Sequence, residues 1–215
     1  MNLNQLFKIG NQDTEERLNS LSHFCGVIAA CIGLIFLWKD NNHRSVYSEF
    51  SIGLYSISLI VLFASSTLYH FVENPRWKKR LRILDHINIY YLIAGTYTPV
   101  ALITLVNGNG WTLFYIVWAI AALGTGLKIF YTGRFEFISL LLYLIMGWLI
   151  VFDLKNLLAN STNLGLTLLF LGGIFYSIGI IFYAIQRIPY NHFIWHLFVL
   201  AGAFCHWFFL YTDVI

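Results

Sequence analysis

Asn191-His192-Phe193-Ile194-Trp195-His196-Leu197-Phe198-Val199-Leu200-Ala201-Gly202-Ala203-Phe204-Cys205-His206-Trp207-Phe208-Phe209 contains no Asp, Glu, Lys or Arg. With its flanks from Pro189 to Tyr211 it is long enough to cross a bilayer as a helix, which takes roughly 20 apolar residues. His192 and His196 stand four residues apart near its start, a spacing that stacks both imidazoles on one helical face. Ionisable groups inside an apolar span are costly, so they need partners and point to function.

Outward from this stretch the chain repeats the same pattern. Of its 215 residues, 59% are hydrophobic and 11% charged, whereas a soluble domain carries about a quarter charged residues. Apolar runs at about 21–38, 50–71, 83–106, 111–127, 135–152, 164–185 and 189–211 give seven spans. The sequence therefore predicts an all-α, polytopic membrane protein. A polar arm over residues 1–20 precedes a single seven-helix domain over 21–215. Asn107-Gly108-Asn109-Gly110 reads as a tight turn, and residues 153–163 read as a polar loop. The net charge of +3 is small and scattered, which argues against a nucleic-acid partner. Cys25, Cys31 and Cys205 all lie in apolar runs without metal-site spacing and read as buried hydrophobes. Polar and acidic residues precede the first run, which is expected to be retained rather than cleaved as a signal peptide.

The basic residues predict orientation. With the N-terminus inside, the inner face holds Lys8, Arg17, Arg76, Lys78, Lys79, Arg80, Arg82, Lys128, Arg134 and Arg187. The outer face then holds only Lys39, Arg44 and Lys155. The expected location is the cell membrane, with a cytoplasmic N-terminus and an external C-terminus. In that topology His70, at the end of the second span, and Asp85, at the start of the third, share the depth of His192 and His196.

Zinc takes imidazole nitrogens tetrahedrally, and catalytic sites use three protein ligands with water in the fourth position. His192 and His196 form a half-site that His70 can complete. Asp85 is then placed to accept a hydrogen bond from that water or to act as its general base. Ser66, one turn before His70, can support a developing oxyanion. Each residue also has a plainer reading. Interfacial histidines bond water or headgroups, an Asp at a helix start caps it, and a lone Ser packs helices. His206 lies ~15 Å beyond His196 along the helix and cannot share an ion with it. His23 and His86 read as packing residues, His43 as solvated, and Glu136 as a helix cap. The cluster from Arg76 to Arg82 reads as a contact to anionic lipid.

Several blocks together resemble the hemolysin III family, the bacterial branch of the progestin and adipoQ receptor superfamily. They are Glu15-Glu16 with Asn19, His23 and Gly26, then Ser66-x-x-x-His70, Leu84-Asp85-His86, Ala94-Gly95-Thr96-Tyr97-Thr98-Pro99 and His192-x-x-x-His196. The resemblance implies a seven-helix bundle with zinc held by His70, His192 and His196 near the inner leaflet. Alkaline ceramidases belong to the wider group, so it also implies that Asp85 binds the zinc water and Ser66 supports the oxyanion. The expected activity is hydrolysis of a lipid amide or ester, with membrane lipids as substrate. The alternative is a non-enzymatic protein, either a pore-forming hemolysin or a lipid-state sensor, with structural zinc.

Overall fold

The computed structural model describes residues 14–215; the arm before Thr14, Lys8 included, lies outside the described residues. Seven helical spans long and apolar enough to cross a membrane follow one another. They are α1 (Thr14–Lys39), α2 (Ser48–Phe71), α3 (Pro75–Pro99), α4 (Gly110–Tyr131), α5 (Glu136–Trp148) continued by the short α6 (Leu154–Asn160), α7 (Asn163–Ala184) and α8 (Asn191–Phe209). Among the described residues there is no strand.

Two helices begin earlier than their hydropathy indicates. α1 starts at Thr14, with Glu15 and Glu16 in its first turn, where acidic side chains complement the helix dipole. Part of the expected arm is therefore helix, and it carries polar residues into the bundle. α3 starts at Pro75, well before the apolar run. The Asn74 side chain caps it by accepting from Arg76 N and Trp77 N, and Pro75 fits the first helical position, where no N–H is needed. Asp85 consequently stands more than two turns inside α3, fully part of its hydrogen-bonded ladder. That removes the reading of Asp85 as a cap.

The expected polar loop after the fifth span is also partly helical. A 3₁₀ turn (Leu149–Asp153) breaks the span, and α6 resumes with Leu157 wholly buried. The break frees backbone groups that lipid cannot satisfy. Tyr97 of α3 takes up two of them: its hydroxyl donates to the Gly147 carbonyl (3.1 Å) and accepts from Ile150 N–H (2.8 Å). α3 itself ends at Pro99, which has no N–H to donate, and the chain continues as a π turn (Val100–Thr104). A second π turn (Leu210–Val214) closes α8.

α1 packs on α2, α2 on α3, α3 on α4 and α7 on α8, and α8 returns to α1, so the first and last spans are neighbours. The third span is the most enclosed, with 72% of its apolar window buried against 17% for α7. Its approach to α2 depends on Gly95, where a Cβ would run into the Ser58 side chain. The pairing of α2 with α3 and of α8 with α1 brings the C-terminal end of α2, the N-terminal half of α3 and the N-terminal ends of α1 and α8 to one end of the bundle.

Candidate metal centre

His70 is the penultimate residue of α2, and His192 and His196 occupy the first two turns of α8. One potential ligand atom from each lies within 4.8 Å of the others, and the three residues form one group. Their ring centroids are 4.8–4.9 Å apart in every pairing. His70 and His196 are 2% and 1% exposed, while His192 is half-buried. A tetrahedral ion with bonds of about 2.0–2.1 Å separates its nitrogen ligands by roughly 3.4 Å. The ligand atoms therefore need to close by at most about 1.4 Å to grip one. Imidazole donors suit several transition ions, and this cluster can hold a metal ion.

The hydrogen bonds around the rings favour that use. His70 Nδ1 lies 3.3 Å from Glu16 Oε2; a carboxylate only accepts, so the ring donates there. His196 Nδ1 lies 3.2 Å from the Asn19 carbonyl oxygen and 3.4 Å from Ser22 Oγ. With Nδ1 carrying the proton in both rings, the lone pair sits on Nε2, the tautomer that a metal requires. Glu15 Oε1 accepts from His192 N–H (3.1 Å), satisfying an orphan donor in the first turn of α8.

Asp85 and Ser66 stand outside the ligand-distance group. Both are buried, and both line an apolar cavity of about 100 Å³ together with His196 and His23. The cavity runs between the helices as far as Thr96, Tyr97 and His206. On the other side of the histidines, a polar mouth of about 560 Å³ is lined by His70, His192, Glu16, Arg82, His86 and Glu136 among others. The imidazole layer thus divides a polar compartment from an apolar one.

The remaining ionisable residues sort themselves geometrically. His206 lines the apolar cavity, and its Nε2 lies 3.1 Å from the Leu169 carbonyl oxygen. His86 Nδ1 faces Glu136 Oε1 at 3.7 Å, and its backbone carbonyl accepts from Tyr143 OH. Glu136 accepts from Gly133 N–H, in the turn before α5, and from Lys128 Nζ (2.6 Å); it neutralises a buried lysine and is not the expected cap, since the first turn of α5 takes no side-chain cap bond. His43 is exposed near Glu49.

Glu16, Asn19 and His23 of α1, quoted for the resemblance but given no role at the site by sequence reasoning, reach the histidine group. His23, read there as packing, stacks flat on His196 with centroids 3.7 Å apart and 5° between planes. Its ring nitrogens are buried without hydrogen bonds. Glu16 and Asn19 reach His70 and His196 directly. Their positions, 16, 19 and 23, follow the helical repeat. A polar stripe continued by Gly26 along one face of an apolar helix is the signal that marks them.

Seven helical spans and a buried histidine cluster define a multi-pass membrane protein with a candidate metal site. The family described as "Haemolysin-III related" matches residues 11–207, and the chain belongs to that family. It is similar to "Hemolysin-3" from Bacillus cereus, with 45% identity over 190 residues covering 88% of this chain and 87% of that protein. "Hemolysin-3 homolog" from Bacillus subtilis (strain 168) is 44% identical, covering 88% of this chain and 89% of the relative. A more distant relative is "Monocyte to macrophage differentiation factor" from Mus musculus, 30% identical over 217 residues with 94% and 88% covered.

Proposed function

We propose that this protein is a zinc-dependent hydrolase of a lipid amide or ester, embedded in the cell membrane with its N-terminus in the cytoplasm. The supporting observation is the position of three imidazoles between a polar mouth and an apolar cavity. An amphiphile whose scissile carbonyl joins an acyl chain to a polar head fits across such a boundary.

His70, His192 and His196 would hold the zinc. Bound there, zinc supplies a Lewis acid for the carbonyl and lowers the pKa of water toward neutrality. Asp85, which lines the same cavity as His196, accepts the proton of the attacking water and returns it to the nitrogen or oxygen of the head group as its bond to the acyl carbon breaks. Ser66 donates its hydroxyl to the carbonyl oxygen as negative charge gathers on it. The apolar wall from Ile89 to Thr96 receives the acyl chain and excludes bulk water, which strengthens both interactions. The polar mouth admits water and releases the head group.

The test is zinc per chain in detergent-purified protein, together with fatty-acid release from a panel of lipid amides and esters. We expect one zinc in the wild type, its loss in His70→Ala and His196→Ala, and its retention in Asp85→Ala with release abolished. A zinc-free wild type prepared without chelator would sink the hydrolase. Stoichiometric zinc with no release from any substrate would favour a sensor or lytic protein with structural zinc, the reading closer to the name of the bacterial relatives.

A further inference from the structure

α1 supplies no ligand to the histidine group, yet it touches all three residues. Two of those contacts are a backbone carbonyl on His196 and a carboxylate on the backbone of His192. Among the described residues of α1, Glu16 on His70 is the contact that brings a full charge to an imidazole of the group. The same oxygen, Oε2, receives Lys78 Nζ at 2.5 Å. Lys78 comes from the first turn of α3 and lies over the ring of Tyr69, the neighbour of His70, at 5.3 Å. Three helices are joined through one carboxylate.

We propose that Glu16 is the positioning residue of the histidine centre and that Lys78 holds Glu16 in place. This rests on the reading of the cluster as a metal site. A carboxylate accepting from Nδ1 fixes the ring's orientation, keeps the lone pair on Nε2 and raises its strength as a donor. Glu16 is partly exposed, and an unrestrained glutamate at a polar mouth samples many rotamers. The lysine removes that freedom by fastening the oxygen that His70 uses. The arrangement makes metal affinity depend on a residue that never touches the metal.

The experiment uses the full-length protein in detergent, stripped of metal and titrated with Zn²⁺ against a chromophoric chelator. The melting temperature of each metal-free sample is recorded alongside. Glu16→Ala is expected to weaken zinc binding roughly 10–100-fold, the usual cost of losing such a partner. Glu16→Gln keeps an acceptor at the same reach and should recover part of that loss. Lys78→Met should weaken binding less than Glu16→Ala. If Glu16→Ala and Glu16→Gln bind zinc within twofold of the wild type, the assignment is overturned, and a lowered melting temperature in the metal-free variants would show that Glu16 serves only the fold. If the wild type takes up no Zn²⁺, or His70→Ala binds it unchanged, the metal site itself is wrong and the proposal falls with it. Zinc binding that is lost in His70→Ala and kept in both Glu16 variants removes Glu16 alone.

Discussion

On the proposed hydrolase reading, Asp85 and Ser66 would separate binding from turnover. Neither belongs to the ligand-distance group, so Asp85→Asn should leave zinc content intact while lowering the rate of fatty-acid release roughly 10²–10⁴-fold, the usual contribution of a general base. Ser66→Ala should cost roughly 10²–10³-fold in kcat if its hydroxyl faces the oxyanion, with KM little changed. Steady-state kinetics on zinc-quantified samples would check both, and a Ser66→Ala effect confined to KM would remove the oxyanion role. At this scale the grouping of His70, His192 and His196 was legible because the predicted topology put all three at one depth, where the spacing of one pair alone has plainer readings. The roles of His23 and Glu16 were not, although both stand in the N-terminal block that carries the family resemblance. Each is a single polar residue whose partner lies far off in sequence, His23 on His196 and Glu16 on His70. The polar stripe at 16, 19 and 23 marks a face of α1, and the helix pairing says which rings that face meets.

The elements carry polar work that hydropathy cannot see. Tyr97→Phe keeps the ring but strips the hydroxyl that pairs with Gly147 and Ile150 across the break in the fifth span. Leaving those backbone groups unpaired should cost about 1–3 kcal/mol, read as a lower unfolding midpoint in detergent with zinc content unchanged. Asn74→Ala removes the α3 cap and should cost about 1 kcal/mol by the same measurement. The number of spans was readable from apolar run length. Their starts were not, because α1 and α3 begin in polar sequence where a cap and an N-terminal turn, rather than burial, set the boundary. The 3₁₀ break was equally hidden: Leu149-Ile150-Val151-Phe152 is as apolar as the helix before it.

For the molecule as a whole, the excess of Lys and Arg in one set of loops predicts sidedness. In a variant lacking the three native cysteines, His43→Cys should react with a membrane-impermeant thiol reagent added to intact cells. Lys79→Cys should react only after lysis. The reverse pattern would invert the topology and place the polar mouth outside. The return of α8 to α1 has a further consequence, which concerns time rather than space. The histidines come from the second and last spans, and the side chains and carbonyls that steady them come from the first. During synthesis a chain stalled after α7 owns one histidine of the three, so metal capture at this cluster would have to wait until the final span has been inserted. Capture would then act as a clasp on the seam between the oldest and youngest parts of the chain, stabilising the finished product by mass action. In metal-starved cells full-length protein should be degraded faster than in replete cells, and His196→Ala should erase that difference.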